Sequence, residues 1–455
     1  MLNLSLADIA RWTGARFAGA GPRIDAVSTD TRTLAPGALF VALRGERHDG
    51  HAFAAEARAA GASAVLVDHA LELDLPQLVV ADTAVALGAL ARGVRETRSA
   101  RVIGITGSNG KTTVKALSAS ILARHGRTHV NRGSFNNEIG LPLTLLAAPA
   151  DSEYLVLEMG AGKPGDIDYL ARIARPEIVL VNNIAPAHLE RMGSLDAIAE
   201  TKGVLYAQLP EHGIAVINAD DAYAARFTAL AGTHRVVRFG LVAAAEVTAR
   251  FEPGAPAQSF VLVTPQGEAR VQLALAGRHN IGNALAAAAI AHALEVPLAT
   301  IQAGLEAAEP VPGRQVRIVL ANGAVVIDDS YNANPGSFAA AVATLAAEPG
   351  RRVLVMGDML ELGADARRLH AGIGTQAKQA GIERLHAVGA LGAAAVEAFG
   401  PGAVHHADQG ALIDALGEEL AAGVTALVKG SRGSAMDRVV AALASAAAPG
   451  GRHAA

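Results

Sequence analysis

One stretch constrains this chain more than any other: Val102-Ile-Gly-Ile-Thr-Gly-Ser-Asn-Gly-Lys-Thr-Thr-Val114, an apolar strand that breaks into a glycine-rich turn ahead of a helix. Such an arrangement is a phosphate cradle. Gly104, Gly107 and Gly110 let the backbone turn tightly and approach an anion, and the N–H groups of Asn109 to Thr113 point inward at the start of a helix expected over 113–124. Lys111 is placed to reach terminal phosphates, and the Thr112 hydroxyl to ligate Mg²⁺. The spacing departs from G-x-x-x-x-G-K-[ST], because Ile105 stands where the first glycine belongs and Gly104 lies one residue earlier. The competing reading, a glycine-rich turn with an ordinary surface lysine, is disfavoured by the agreement of strand, turn, Gly-Lys-Thr and helix.

A cradle of this type needs a sheet behind it. Val/Ile/Leu-rich strands at 101–106, 154–158, 177–183 and 214–218 alternate with alanine-rich helices, the pattern of a parallel sheet covered on both faces with ligands at its C-terminal edge. Ahead of it lies a smaller α/β unit with strands at 39–43 and 64–67 and helices at 52–60 and 83–98. From 241 to 275 the rhythm turns to alternating strands (258–264, 269–275) and implies an antiparallel flap, followed by helices at 280–294 and 297–307. After a Pro310-Val-Pro-Gly313 linker, a hairpin (315–320, 324–328) turning on Asn322-Gly323 reads as type I′, and strands at 352–356, 384–388 and 424–428 form a second α/β sheet. The expectation is an α/β chain of three domains, 1–98, 99–313 and 314–455, in keeping with about 150 residues per domain.

Composition narrows the class. Although 51% of residues are hydrophobic, no uninterrupted apolar run reaches the roughly 18 residues of a membrane span. The first sixteen residues lack a basic n-region and an apolar h-region, so no signal peptide is expected. The absence of cysteine excludes disulfide and thiol chemistry and suits a cytoplasmic enzyme. A net charge of -4 argues against a nucleic-acid partner.

Several polar groups fall at strand ends. Glu158 closes an apolar strand beside the cradle, where a Mg²⁺ ligand or a solvated strand end are the two readings. His188 follows another strand, in Asn183-Ile-Ala-Pro-Ala-His-Leu-Glu190, and is a metal-ligand candidate by position. Lys202, on a helix opening near Ser194, reads by itself as a solvated side chain, and Arg191 and Lys163 receive no role. Asn280 and Asn283 could read a base edge or cap their helix, with Asn280 a fair N-cap. Asp328-Asp-Ser-Tyr-Asn-Ala-Asn-Pro335 concentrates polar groups suited to ribose or adenine. Ser28-Thr-Asp-Thr-Arg32 is either a capped turn or a grip on an anionic, sugar-like ligand.

Together these stretches resemble the Mur ligases, ATP-dependent amide-forming enzymes of peptidoglycan precursor synthesis. The resemblance rests on Thr106-Gly-Ser-Asn-Gly-Lys-Thr-Thr113, Asn136-Asn-Glu-Ile-Gly-Leu-Pro142, Ala187-His-Leu-Glu190, Asp329-Ser-Tyr-Asn-Ala-Asn-Pro335, Met356-Gly-Asp-Met-Leu-Glu-Leu-Gly363 and Lys429-Gly-Ser-Arg432. Tyr331-Asn-Ala-Asn-Pro335 favours the branch that joins D-alanyl-D-alanine to UDP-N-acetylmuramoyl-tripeptide.

The resemblance implies a first domain holding the UDP end of the substrate, a central P-loop ATPase and a Rossmann-like C-terminal domain that closes over the site. It implies ATP phosphates on Gly107, Ser108, Asn109, Gly110, Lys111, Thr112 and Thr113, a first Mg²⁺ on Thr112 and Glu158, and a second on His188 and a CO₂-carbamylated Lys202. Asn280 and Asn283 would meet adenine, Arg314 a phosphate, Asp329 the ribose, and Tyr331 would stand near the nucleotide. Ser28, Thr29, Asp30 and Arg32 would contact the UDP-sugar, Asn136 and Asn137 the peptide, and Lys429 and Ser431 the acceptor end. A monomer is expected. Folylpolyglutamate synthase, a Mur ligase adding a single amino acid, and a nucleotide-dependent switch are the rival readings.

Overall fold

The structure, a computed structural model, describes residues 2–17, 21–45, 48–187, 189–252 and 258–446. Four sheets organise them. In the first, β1 (Ala26–Ser28), β2 (Ala38–Val41), β3 (Ala64–Val67) and β4 (Gln77–Val79) are parallel and lie in sequence order. The middle sheet contains β5 (Arg101–Thr106), β6 (Thr128–Val130), β7 (Tyr154–Glu158), β8 (Ile178–Val181), β9 (Ile214–Asn218) and β10 (Arg235–Phe239), all parallel in the order β10-β9-β8-β5-β7-β6. A small antiparallel sheet of β11 (Thr248–Arg250), β12 (Ser259–Thr264) and β13 (Gly267–Gln272) is the expected flap with one further strand. The last sheet, from β14 (Val316–Val319), β15 (Val325–Asp329), β16 (Arg351–Met356), β17 (Arg384–Val388), β18 (Ala403–His406) and β19 (Val424–Lys429), runs β14-β15-β19-β16-β17-β18 and is parallel apart from β14.

The middle strands are apolar throughout because helices cover both faces, and side chains alternate between two cores. Ile103 and Ile105 point toward helices Lys111–Leu122, Arg278–Ala293 and Leu298–Glu306. Val102 faces helices Thr83–Glu96, Gly140–Ala147, Asp166–Ala174 and Leu195–Ala207, in a core that continues into the first sheet through Leu39, Val41 and Leu66. Helix Arg278–Ala293 is apolar almost all round because it lies between the sheet and helix Lys111–Leu122, where its alanines permit close approach.

Some local expectations need correction. Gly104 sits inside β5, packed against Pro176, and takes no part in the turn. The cradle helix starts at Lys111, so Lys111 and Thr112 form its first turn. The hairpin at Asn322-Gly323 is not type I′, since only Gly323 of that pair has positive φ (82°), while Gly323 N donates to Leu320 O and Leu320 N to Ala324 O. Asn280 is not an N-cap: Gly277 holds that position, and Asn280 lies buried inside the helix with its amide donating to Ala276 O. Strands β1, β4, β6, β10, β11 and β18 escape the sequence reading because each has only three to five residues, and several are polar or half exposed.

Candidate functional site

The C-terminal ends of β5, β7 and β8 face those of β15 and β19 across a cavity of about 660 Å³. One wall is the cradle, Ser108 to Thr113, and the opposite wall is Gly313, Arg314, Gln315, Asp329, Tyr331 to Asn334, and Lys429. The walls are joined directly, because Asn334 Nδ2 donates to Asn109 Oδ1 at 2.7 Å across 225 residues of sequence.

Glycine is required at two cradle positions. Gly110 has φ 80°, and a Cβ there would lie 2.4 Å from Asn283 Oδ1, while Gly107 has φ 144° against Asn182. Gly110 is the N-cap of helix Lys111–Leu122 and offers no side chain, so the first-turn amides remain available to an anion. Asn109 is an exception to the expected row of donors, since its N–H is given to Asn183 Oδ1 at 2.8 Å. Lys111 Nζ lies back on its own loop, 2.7 Å from Gly107 O. Burial lowers the Lys111 ammonium, opposed by Glu158.

Thr112 and Glu158 meet as the sequence reading requires, Thr112 Oγ1 donating to Glu158 Oε2 at 2.9 Å. Burial alone would raise the Glu158 carboxyl, but Lys111, Lys115 and Arg314, followed by the Thr112 hydrogen bond, outweigh it and hold the group ionised. Asn136 Nδ2 donates to Glu158 Oε1 at 2.7 Å. A hydroxyl and an ionised carboxylate side by side are a hard-oxygen donor set that suits Mg²⁺.

Lys115, absent from the sequence reading, holds this corner together. It lies one turn beyond Lys111 on the same helix face, is buried, donates at 3.0 Å to Asn131 O and Gly133 O, and sits 3.5 Å from Glu158. Asn131 in turn accepts from Glu158 N at 2.7 Å. The i, i+4 spacing was the available signal for Lys115, whereas Asn131 follows a strand too short to read.

Lys202 is not solvated. It is 2% exposed on helix Leu195–Ala207, and among the described residues no hydrogen-bond or ion-pair partner reaches its ammonium. Burial, then repulsion from Lys111, pushes it down to about 7. His188 lies outside the described residues. Asn280 and Asn283 are buried at the cradle edge, Asn283 Nδ2 donating to Asn280 Oδ1 at 3.0 Å, and both line the cavity. Beside them, burial and the charge of Lys429 push His279 down to about 4, leaving it neutral.

On the far wall, β15 and β19 align Asp329 with Lys429. Their ion pair at 2.7 Å is buried, and Lys429 Nζ also donates to Asn332 O. Tyr331 is flanked by Arg314, at 4.4 Å from the ring centre, and Arg432, at 5.3 Å. Ser431 is buried outside the cavity lining, where its hydroxyl joins Leu360 N to Ala333 O. Asn136 and Asn137 line the cavity, although the Asn137 side-chain oxygen Oδ1 already accepts from Ile139 N and Gly140 N. Arg191 and Lys163 line it as well.

Ser28, Thr29, Asp30 and Arg32 lie outside this lining. Asp30 caps a 3₁₀ turn and pairs with Arg32, whose hydrogen bonds bring the carboxyl down to about 2, and Ser28 Oγ donates to Asp30 O. The capped-turn reading of that stretch therefore describes its geometry.

The sequence matches family models described as Mur ligase family, catalytic domain (residues 23–120), Mur ligase middle domain (105–291) and Mur ligase, glutamate ligase domain (313–432). The UDP-N-acetylmuramoyl-tripeptide–D-alanyl-D-alanine ligase of Escherichia coli (strain K12) is 47% identical over 447 residues, 97% of this chain and 99% of its own. Its namesake from Bacillus subtilis (strain 168) is 35% identical over 92% of each chain. A crystal structure of MurF from Acinetobacter baumannii superposes with a TM-score of 0.91 at 35% identity over 98% of this chain and 100% of that one. The MurF ligase of Thermotoga maritima in complex with ADP follows at 0.83 and 26%, over 92% and 97%. With three domains of this architecture matched from end to end, the chain belongs to the Mur ligase family.

Proposed function

We propose that this protein ligates D-alanyl-D-alanine to UDP-N-acetylmuramoyl-tripeptide at the expense of ATP, releasing ADP and phosphate. The observation that carries the reading is the shared cavity, in which a phosphate cradle on one domain faces the Asp329–Asn334 motif of another. Full-length similarity to ligases named for that reaction supports it.

In this reading Lys111, Thr113 and the amides of Gly107 and of Gly110 to Thr112 hold the ATP phosphates, with Arg314 reaching them from the linker. Ser108 and Asn109 shape the turn through their N–H bonds to Asn183. Asn280 and Asn283 take the adenine, and Asp329 and Tyr331 the ribose side. Thr112 and Glu158 would hold a first Mg²⁺, which would supply the positive charge that offsets the phosphates. Lys202 and His188 would serve a second metal: a buried amine brought down to about 7 has a substantial free-base fraction at neutral pH, the form that reacts with CO₂, and the carbamate would supply the hard oxygen that an amine lacks. Ser28, Thr29, Asp30 and Arg32 receive the UDP-sugar, for which the Asp30–Arg32 pair must open, Asn136 and Asn137 meet the peptide, and Lys429 and Ser431 shape the acceptor end.

The peptide carboxylate attacks the γ-phosphorus, breaking the bond to ADP and giving an acyl phosphate. Lys111 and the cradle amides stabilise the charge that builds up as two anions meet in line. The free amine of the dipeptide then attacks the acyl carbon, and the tetrahedral intermediate expels phosphate while the nitrogen loses its proton. The Asn334–Asn109 bond keeps the third domain over the cradle, where it excludes the water that would hydrolyse the acyl phosphate. We further propose a cytoplasmic monomer with boundaries near residues 98 and 313. No helix among the described residues is long and apolar enough to cross a membrane, and the net charge of -4 argues against a nucleic-acid partner.

The test is phosphate release with Mg²⁺-ATP and UDP-N-acetylmuramoyl-tripeptide, with and without D-alanyl-D-alanine, reading product mass in parallel. Release that requires both, with a product heavier by one dipeptide residue, supports the reading. Release without both, or with no new amide, refutes it.

A further inference from the structure

Outside the cavity lining, the outer edge of the last sheet is joined by a line of buried titratable groups that the ligase chemistry does not use. β17 and β18 run parallel with Val388 opposite His406, so His386 and His406 fall on one face of the sheet, under helix Gln409–Glu419. His386 is 2% exposed and His406 8%. Their rings are nearly parallel, with His386 Nδ1 and His406 Nε2 2.9 Å apart, and His386 Nε2 lies 2.8 Å from Glu419 Oε2. Glu419 ends its helix, and its other oxygen accepts from Arg351 Nη2 at 2.6 Å and Arg384 Nε at 3.1 Å. The titratable and charged groups facing the pair are therefore Arg351 on β16, Arg384 on β17, His405 on β18 and Glu419 on the helix. Helix Gly392–Phe399 packs on the opposite face, against Leu385 and Ala387, and brings no charge to the pair.

The hydrogens along this line can be counted. Burial would raise the Glu419 carboxyl, but the His386 hydrogen bond, Arg384 and Arg351 outweigh it and keep the group ionised, so it only accepts. His386 then donates Nε2–H to it and accepts at Nδ1, and His406 supplies the donor from Nε2. Two hydrogens for two contacts satisfy every member. A further proton enters at His406 Nδ1, which no hydrogen bond reaches among the described residues. With both rings protonated, two N–H donors would face each other beside two arginines. From this geometry we infer that the outer edge of the third domain is fastened by an acid-sensitive switch, in which proton uptake by His386 and His406 releases β18 and helix Gln409–Glu419 from β17. β18 is the last strand of its sheet and is paired on one side alone, so it has the least to hold it. The release reaches the cavity wall, since Gln409 Nε2 donates to Ser434 O and Ala435 O in the turn that follows Lys429. Burial lowers both imidazoles, opposed by Glu419 at His386 and reinforced by His386 and His405 at His406. The unfolded edge therefore binds more protons than the folded one, and the fastening weakens as pH falls through about 6.5.

The experiment is hydrogen exchange of the full-length protein at about pH 7.5 and about pH 5.5, corrected for intrinsic rates and read over residues 403–419 and 431–435. In the wild type, an opening that exposes both imidazoles should lose protection between these pH values by about tenfold for each histidine that is neutral when folded, up to about a hundredfold in all. The double variant His386→Leu, His406→Phe replaces both rings with apolar side chains, leaves Glu419 on its arginines, and should show no such loss. His406→Gln keeps an N–H donor toward His386 and takes up no proton, so its loss should be about tenfold smaller than that of the wild type; this single variant decides the question if the double variant folds poorly. Equal protection of the wild type at the two pH values, or a loss that survives both sets of substitutions undiminished, overturns the inference. A loss over 403–419 with unchanged protection at 431–435 overturns the link to the cavity wall.

Discussion

Replacing Lys202 by Met tests the electrostatics of the site most directly. The side chain is 2% exposed and has no hydrogen-bond or ion-pair partner among the described residues, so charging it in the folded state means charging a largely buried ammonium that Lys111 repels and Asp166 only partly offsets. Burial moves it from 10.5 to about 7. At 1.36 kcal/mol per unit that is a cost of about 5 kcal/mol for the ammonium, an upper bound that relaxation and water entry will reduce. The sign follows from linkage: a base whose folded value is depressed loses stability as pH falls from 10.5 toward 7, and below 7 the loss is constant. Met has similar length and no charge, so the stability of Lys202→Met relative to wild type should grow by about 2–3 kcal/mol between about pH 9 and pH 6. Because a three-domain chain need not unfold in one step, the assay is hydrogen exchange of helix Leu195–Ala207, corrected for intrinsic rates, in CO₂-free buffer. Parallel pH profiles for the two proteins would show that the folded state solvates this ammonium, and the argument from burial would fall.

Four further outcomes are expected. Lys111→Ala should lower kcat by about a thousandfold, since it removes the cation of the phosphate cradle; a change below about tenfold in steady-state turnover would remove that assignment. Lys202→Ala should be inactive and regain partial activity with added short carboxylates, while full activity without them would exclude a carbamate. Lys115→Met strips donors from Asn131 O and Gly133 O and a cation from Glu158, so exchange protection in the 131–137 segment should fall by up to about 3 kcal/mol, and the Mg²⁺ concentration for half-maximal turnover should rise; unchanged values for both would show that Lys115 holds nothing in place. Gly304→Ala would place a Cβ 2.4 Å from Ile121 Cα, forcing helix Leu298–Glu306 away from helix Lys111–Leu122 at a cost of about 1–3 kcal/mol, and an unaltered thermal melt would contradict that packing.

What the sequence determined by itself was local and periodic. β3, β5, β7 and β9 run where their apolar stretches predict, because strands covered on both faces are written as nearly unbroken apolar runs. The cradle was legible because Gly107 and Gly110 satisfy backbone constraints that no other residue meets, and Glu158 because it ends such a strand. The tertiary structure decided which polar groups are already occupied. Asp329 is bound to Lys429 and Asn109 N–H to Asn183, partners that come from a register and a fold that no spacing announces, while Asn137 and Arg32 are taken up by local turns the sequence left as one of two readings or did not show. It also decided burial, which turned Lys202 from an ordinary helix lysine into a buried amine brought down to about 7 and drew Lys115 under the cradle. Hydrophobic pattern is a property of neighbours along the chain. The energy of a charge depends on what surrounds it in space, and only the packed domains supply those surroundings.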